Sequence, residues 1–353
     1  MQPGLPHKAA LIESLESNAS WLNKSILAQK GMGSSAYRWS WGKWGHSYPE
    51  TTGYLIPTLL RLHKFFPNQN FETQAEAQTA FLISIQNEDG SFPVKLGSSE
   101  VNVFDTSQIL LGLSVCYSHT NNQKIAASIT SAYTWLINQI DSNGTIPRNN
   151  LYDKYNPAYY LRVIWPILFA GQIIEKQVPD KVYKLYRILA EFVHDDRILN
   201  ASFKKDDISF SHTIMYSIRG LLECQKFIKR DASEKVVTFL DNCVREINKK
   251  KSYPGSFGLQ GDPDYSFICS TGHLQLILCL LKSYEDIKTN DIDAAVNFLF
   301  SPIFRSQRTW GINKGAVPSS LPIYGKYQKY KYTNWTQKFY CDAIMAIIDH
   351  YYR

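Results

Sequence analysis

The chain has 353 residues, of which 44% are hydrophobic, and its formal net charge is +7 at pH 7. A chain of this length and apolar content can bury a substantial core, and no Pro/Gly/Ser-rich linker divides it. One domain over residues 1–353 is therefore predicted. No segment contains about 18 uninterrupted apolar residues, which excludes a transmembrane helix.

Helical stretches occur in pairs along the whole chain. The first helices of the pairs are predicted at about residues 8–29, 71–86, 123–139, 180–194, 233–248 and 291–304. The second helices are predicted at about residues 50–65, 105–117, 157–174, 211–227, 270–284 and 334–352. Six pairs, with no strand-like alternation elsewhere, predict an all-α fold in which twelve helices form a closed double ring, an (α/α)6 toroid.

A repeated segment supports this division into pairs. The segments FLISIQNEDGSFP (residues 81–93) and WLINQIDSNGTIP (residues 135–147) lie about 54 residues apart. Each has an apolar helical end, a polar Asx-Gly turn and a short extended exit. The chain is therefore expected to repeat one supersecondary unit.

The two sets of helices differ in polarity. First helices carry a polar stripe, which predicts an outer ring, and second helices are apolar almost all round, which predicts an inner ring. Polar or aromatic residues stand near the start of each second helix, namely Glu50, Asp105, Tyr159, His212, His273 and Trp335. If the inner helices run parallel, these residues gather at one mouth of the ring, where an active site is expected.

The segment SAYRWSWGKWGHSYPE (residues 35–50) is unusually aromatic for a loop. Aromatic faces bind the apolar faces of sugars, isoprenoid chains or cations. We therefore expect Trp39, Trp41, Trp44 and Tyr48, together with Trp335, to bind substrate. The alternative is that these rings plug one end of the toroid, and one loop can do both.

Lysine clusters at residues 249–251 and 325–332 carry part of the positive charge. They are either solvated surface lysines or a means of attracting an anionic ligand. No nucleic-acid-binding motif accompanies them, so no nucleic-acid partner is predicted.

The cysteines mostly fall at apolar helical positions without CxxC spacing. They are Cys116, Cys224, Cys243, Cys269, Cys279 and Cys341. We expect buried free thiols in a reducing compartment. The N-terminal segment lacks a basic start followed by an apolar run, so no secretion signal is predicted and a cytoplasmic location is expected.

The turn QNEDGSFP (residues 86–93) resembles the Q-x-x-D-G-S-W/F turn of squalene-hopene cyclase and protein prenyltransferase toroids. In those proteins the turn is a structural staple, so the resemblance supports the fold more than the function. Terpene cyclisation is disfavoured because the D-x-D-D acid is absent, the nearest strings being DIDA from residue 291 and DPDY from residue 262. A DDxxD motif for a diphosphate-bound magnesium ion is absent as well.

Four further segments resemble uncharacterised toroids encoded with bacterial polysaccharide biosynthesis. They are YPETTGYLIPTLL (48–60), FSHTIMYSIRGLLE (210–223), STGHLQL (270–276) and NWTQKFYCDAI (334–344). The (α/α)6 shape is also that of many polysaccharide lyases, uronyl epimerases and glycoside hydrolases. The resemblance implies a carbohydrate-active enzyme with an anionic polysaccharide or oligosaccharide as its partner.

The leading chemical hypothesis is proton abstraction at C5 of a uronic acid, by a uronyl epimerase or a lyase. It needs a base, an acid and a cation or amide that neutralises the carboxylate. His212, Tyr216 and Arg219 share one helical face and resemble the set that toroidal lyases use. Residues that could complete the carboxylate pocket are His273, Gln275, Asn334 and Lys338. The alternative for these residues is a satisfied polar seam in an inner helix.

The second hypothesis is glycoside hydrolysis, which requires two carboxylates that flank the scissile bond. Glu50 and Asp105 begin successive inner helices and could face each other across the mouth. Alternatively, both residues serve only as helix-start charges, and the segment DTSQ at Asp105 resembles a capping box. An isoprenoid enzyme and a non-catalytic glycan-binding toroid remain as further alternatives.

No metal or cofactor is predicted. The eight histidines include no HxxxH or HxH pair, and the carboxylates lack calcium-loop spacing. A GxGxxG turn after a strand and a P-loop are also absent. We therefore expect any chemistry to depend on side chains alone.

Overall fold

The computed structural model describes residues 4–152, 154–228 and 232–352. Within these residues the chain forms twelve α-helices. They are α1 Lys8–Leu27, α2 Pro49–Phe65, α3 Phe71–Ser84, α4 Val103–Thr120, α5 Gln123–Gln139, α6 Leu161–Ile173, α7 Asp180–Ala190, α8 Ser211–Cys224, α9 Ala232–Lys250, α10 Ser270–Lys282, α11 Ile292–Arg305 and α12 Asn334–Tyr351. A 3₁₀ turn, Ala158–Tyr160, leads directly into α6. The twelve predicted helices are confirmed, with small differences at their ends.

The helices form two concentric rings. Each even-numbered helix packs against the next, and α12 packs against α2, so the inner ring is closed. At this closure Thr58 Oγ1 donates to Asp342 Oδ1 at 2.9 Å. The odd-numbered helices pack on the inner ring from outside. The predicted (α/α)6 toroid is therefore confirmed.

Burial follows the predicted division between outer and inner helices. Inner helix α4 buries 13 of its 18 residues, whereas outer helix α3 buries 5 of its 14. Because an inner helix contacts neighbours on every side, its sequence is apolar all round. An outer helix keeps one face in water and so retains a polar stripe.

Short strands, which the sequence did not predict, link the loops at one end of the ring. They are β1 Tyr37–Trp39, β2 Ser209–Phe210, β3 Ser256–Phe257, β4 Pro263–Asp264, β5 Ile268–Cys269, β6 Ser320–Leu321 and β7 Lys331–Thr333. They pair antiparallel as β1–β7, β2–β3–β4 and β5–β6. Segments of two or three residues are too short to show the alternation by which a strand is predicted.

Glycines allow α2 and α4 to approach closely at the inner ring. A Cβ atom on Gly112 would lie 2.0 Å from the carbonyl oxygen of Gly53. Because no side chain can fit at that distance, the backbones meet directly. This close approach places the start of α2 beside Ile109 and Gly112 of α4.

The turn after α3 is a clamp between successive repeats. Gln86 Nε2 donates to the carbonyl oxygens of Gly90 and Ser128, each at 3.0 Å. Ser128 Oγ, on α5, donates to Gln86 Oε1 at 2.6 Å. Trp135 Nε1, also on α5, donates to Asp89 Oδ2 at 3.1 Å. The turn therefore fixes α3 against α5 and is structural.

Candidate active site

Two buried carboxylic acids stand near the starts of α2 and α4, close enough for the charge of Asp105 to act on Glu50. Glu50 lies in the first turn of α2 and Asp105 in the first turn of α4, and their exposed fractions are only 4% and 1%. Asn102 caps α4, since its Oδ1 accepts from the backbone nitrogen of Asp105 at 2.8 Å. Of the alternative interpretation of Asp105, the capping role falls to Asn102, while Asp105 does supply an acidic group in the first turn. Its carboxyl instead accepts from the hydroxyl of Tyr48, at 3.2 and 3.3 Å from its two oxygens.

Burial shifts the protonation of this carboxyl pair. It raises the pKa of Asp105 to about 7, against the hydrogen bonds from Asn102 and Tyr48. The pKa of Glu50 is also raised well above its ordinary value, first by burial and then by the charge of Asp105. Two adjacent buried carboxyls do not both ionise near neutral pH. One can therefore donate a proton while the other accepts one.

A buried guanidinium lies behind the carboxyl pair. Arg162, on α6, is 3% exposed, and its Nη2 donates to Gln108 Oε1 at 2.8 Å. Its guanidinium carbon lies 4.8 Å from the ring centroid of Tyr216 and 5.2 Å from that of Trp165. Its charge lowers the pKa of Glu50, although burial and Asp105 have larger opposite effects. Sequence reasoning missed Arg162, whose signal is a single charge in the apolar run LRVIWPILF.

His212 and Tyr216 lie together, as predicted, with ring centroids 4.2 Å apart. The Nδ1 atom of His212 accepts from Gln275 Nε2 at 2.8 Å. Two carbonyl oxygens, of His212 and Thr271, also accept from this amide, which fixes its orientation. The ring proton of His212 is therefore on Nε2. Burial, followed by the charge of Arg162, lowers the pKa of His212 to about 3, so its imidazole is neutral.

Arg219 does not join His212 and Tyr216. Its Nε lies 2.8 Å from Glu223 Oε1, one turn closer to the C-terminal end of α8. Lys226 and Lys282 also contact Glu223, at 2.8 and 3.3 Å. The cation beside Tyr216 is that of Arg162 instead.

Three other predicted binding residues contact other groups of the chain. The Nε2 atom of His273 donates to the carbonyl oxygen of Tyr253 at 2.9 Å. Asn334 Nδ2 donates to Ser25 Oγ at 2.8 Å and so ties α12 to α1. Lys338 Nζ is 2.6 Å from Asp342 Oδ2. These three residues therefore already have partners within the protein.

The aromatic loop before α2 has an exposed part and a part that packs against the core. The rings of Trp39 and Trp41 are stacked, with centroids 4.5 Å apart, and Trp41 is 61% exposed. Lys331 Nζ, on the paired strand β7, lies 4.8 Å from the Trp39 ring. Trp44 instead packs inward, 4.9 Å from Trp21 of α1. Trp39 and Trp41 thus form an open aromatic surface, while Trp44 closes the end of the core.

Further aromatic rings from the loops surround His212. The ring centroid of Tyr327 lies 5.4 Å from that of His212 and 5.2 Å from that of Phe210. Phe203 lies 6.1 Å from His212. Trp335 Nε1 donates to the hydroxyl of Tyr327 at 2.8 Å, which connects this predicted residue to the same wall. Sequence reasoning missed the loop residues because only folding brings them to the mouth.

Other features bear on the class of site. All six cysteines are buried and free, as predicted. Among the described residues, no group of three or more His, Cys, Asp or Glu side chains is placed to hold a metal ion. In the same part of the chain, no helix is long and apolar enough to cross a membrane.

Known structures resemble this chain in fold. The cellobiose 2-epimerase of Bacillus thermoamylovorans has 12% sequence identity and a TM-score of 0.76, over 96% of this chain and 98% of its own. A sugar epimerase from a ruminal bacterium has 10% identity and a TM-score of 0.74, over 98% and 99%. An unsaturated glucuronyl hydrolase specific for heparin has 12% identity and a TM-score of 0.71, over 97% and 98%.

No family model matches the sequence, and no curated protein is significantly similar to it. At 10–12% identity the structural likeness concerns the fold. The chain therefore shares the (α/α)6 toroid fold with these proteins.

Proposed function

We propose that the protein is a carbohydrate-active enzyme that cleaves a glycosidic bond with Glu50 and Asp105. The observation that carries this proposal is the pair of adjacent buried carboxyls, both with a raised pKa, at the mouth of the ring. Hydrolysis needs one protonated and one ionised carboxyl near the same bond. The names of the similar folds, two sugar epimerases and a glucuronyl hydrolase, support carbohydrate as the substrate class.

Each carboxyl has a distinct role in this proposal. Glu50, whose pKa is raised by burial and by Asp105, holds a proton and donates it to the glycosidic oxygen. Asp105, held by Tyr48, takes a proton from the water whose oxygen attacks the anomeric carbon. Tyr48 favours the ionised form of Asp105. The stacked Trp39 and Trp41 rings bind the apolar face of a neighbouring sugar.

Proton abstraction at C5 of a uronic acid is the second candidate. It is favoured by the contact between His212 and Tyr216 beside the cation of Arg162, which could neutralise the carboxylate of the sugar. His212 Nδ1 is engaged by Gln275 and Nε2 carries the proton, so this imidazole donates rather than accepts. The base would then be a carboxyl such as Asp105. Loss of the proton gives a lyase, and its return to the opposite face gives an epimerase.

Proton NMR in D2O separates these reactions. The protein is incubated with a panel of neutral and uronic-acid-containing oligosaccharides. New reducing-end anomeric signals indicate hydrolysis, deuterium at C5 indicates an epimerase, and an alkene signal indicates a lyase. We expect hydrolysis, and we expect Glu50→Gln and Asp105→Asn each to reduce the rate about 100-fold or more.

The matched control is Asp141→Asn, because Asp141 accepts from the backbone nitrogen and the hydroxyl of Thr145 and so holds its own turn after α5. This variant should retain the wild-type rate. Full activity in both Glu50→Gln and Asp105→Asn would reject the carboxyl pair as the catalytic groups. No reaction across the panel, with folding confirmed by circular dichroism, would reject the enzymatic proposal in favour of glycan binding alone.

A further inference from the structure

A cavity lies on the axis of the ring, beyond the carboxyl pair. Its volume is about 210 Å³, and residues of all six inner helices line it. A depression of about 290 Å³ at the C-terminal ends of the inner helices shares Arg61, Arg219 and Leu278 with it. The cavity therefore opens on the face opposite the mouth.

Positive charge exceeds negative charge in this axial cavity. Arg61, Arg162, Arg219 and Lys338 line it, whereas Asp342 is its one carboxylate among the described residues. Lys338 is paired with Asp342 at 2.6 Å. Arg61 and Arg219 are paired with carboxylates outside the lining, at 2.6 and 2.8 Å.

Arg162 differs from these three cations. In the described part of the chain, none of the ion pairs within 4.0 Å involves its guanidinium. Burial is the main reason that the pKa of Arg162 is lowered, and the charge of Arg219 adds to it, whereas Tyr216, Tyr54 and Glu50 act in the opposite direction. A buried guanidinium without a carboxylate partner costs free energy that a bound anion would offset.

Apart from Arg219 Nε, which is in an ion pair with Glu223, two buried polar atoms on the cavity wall lack hydrogen-bond partners within the described part of the chain. They are Arg162 Nε, a donor, and Gln275 Oε1, an acceptor. Their residues are only 3% and 1% exposed, so bulk water does not satisfy them. Buried polar groups are normally paired, and unpaired ones in a cavity mark a place where a polar ligand fits.

The rest of the wall is apolar and restricts the ligand further. Leu111, Val115, Trp165 and Phe339 supply aliphatic and aromatic surface around Arg162. A planar carboxylate matches the fork of a guanidinium, and an apolar body matches these side chains. Inorganic phosphate would leave the apolar surface uncovered.

We propose that the axial cavity binds a small organic carboxylate with an apolar ring or chain, which enters from the C-terminal face of the inner ring. The carboxylate pairs with Arg162, and a ligand that also carries a hydroxyl or N–H group can donate it to Gln275 Oε1. This site shares Arg162 with the candidate active site but lies deeper along the axis, since Tyr54 is one helical turn beyond Glu50 on α2 and lines the cavity. The proposal therefore does not depend on glycosidic cleavage.

Isothermal titration of the full chain tests the site with benzoate, its uncharged analogue benzamide, and inorganic phosphate. We expect saturable binding of benzoate, with benzamide and phosphate at least tenfold weaker. Arg162→Gln should weaken benzoate binding at least tenfold. Val115→Phe, which fills the cavity and leaves every charge in place, should weaken it similarly.

Lys184→Gln is the control, because Lys184 is a partly exposed cation on outer helix α7. It should bind benzoate as the wild type does. The proposal is overturned if benzoate does not saturate, if benzamide or phosphate binds as tightly, or if Val115→Phe binds like the wild type. Because Val115→Phe preserves the polar network, the test stands even if Arg162→Gln fails to fold.

Discussion

The raised pKa of Asp105 predicts an unusual pH dependence of stability. In the folded protein this pKa is about 7, compared with an ordinary value of 3.8. Between these values only the folded chain keeps the proton, so the free energy of unfolding falls as the pH rises through this window. Below it the carboxyl is protonated in both states, and the stabilisation is fully present.

The expected magnitude follows from the same two pKa values. A difference from 3.8 to about 7, at roughly 1.36 kcal/mol for each pH unit, corresponds to about 4 kcal/mol. Asp105→Asn removes the titration while keeping an oxygen that can accept from Tyr48. The free energy of unfolding of this variant, relative to that of the wild type, should therefore rise by about 4 kcal/mol between pH 4 and pH 7.

Urea unfolding at half-unit intervals from pH 4 to pH 8, followed by circular dichroism, measures this difference. Asp264→Asn is the control, because Lys326 and Ser266 lower the pKa of Asp264 to about 2. That carboxyl is ionised in both states above pH 5, so its difference from the wild type should stay constant from pH 5 to pH 8. A flat difference for Asp105→Asn over pH 4 to 7 would refute the assignment of a raised pKa.

Two further predictions concern the scaffold. Gly90 and Gly97 both have a positive φ, at +94° and +74°. A Cβ atom on Gly90 would lie 2.3 Å from the carbonyl oxygen of Ser131, whereas a Cβ atom on Gly97 would meet nothing within 4 Å. Gly97→Ala should therefore lower the free energy of unfolding by about 1 kcal/mol, and Gly90→Ala by about 1–3 kcal/mol more. Urea unfolding measures both losses, and equal losses would reject the tight contact between the turn and α5. Glu223→Gln should lower the free energy of unfolding by about 3 kcal/mol, because it leaves Arg219 without its buried carboxylate partner. An unchanged midpoint of urea unfolding would contradict this.

The helix pairs and the division into two rings follow from the sequence by itself. Helical period and polarity are local properties, so apolar stretches such as TSQILLGLSVC on α4 predict an inner helix without knowledge of its neighbours. The repeated Asx-Gly turn likewise marks each unit locally. The gathering of Glu50 and Asp105 at the mouth then follows from ring closure with parallel inner helices.

The partners of the buried charges were decided only by the tertiary structure. Spacing along α8 places Arg219 near Tyr216, yet Glu223 neutralises Arg219, and Arg162 of α6 lies over the Tyr216 ring. Which charges meet depends on the stagger and rotation of adjacent helices, and these are set by close contacts such as that between Gly53 and Gly112. Helix periodicity carries no information about that stagger, so neither the Tyr48 contact with Asp105 nor the axial cavity could be predicted from it.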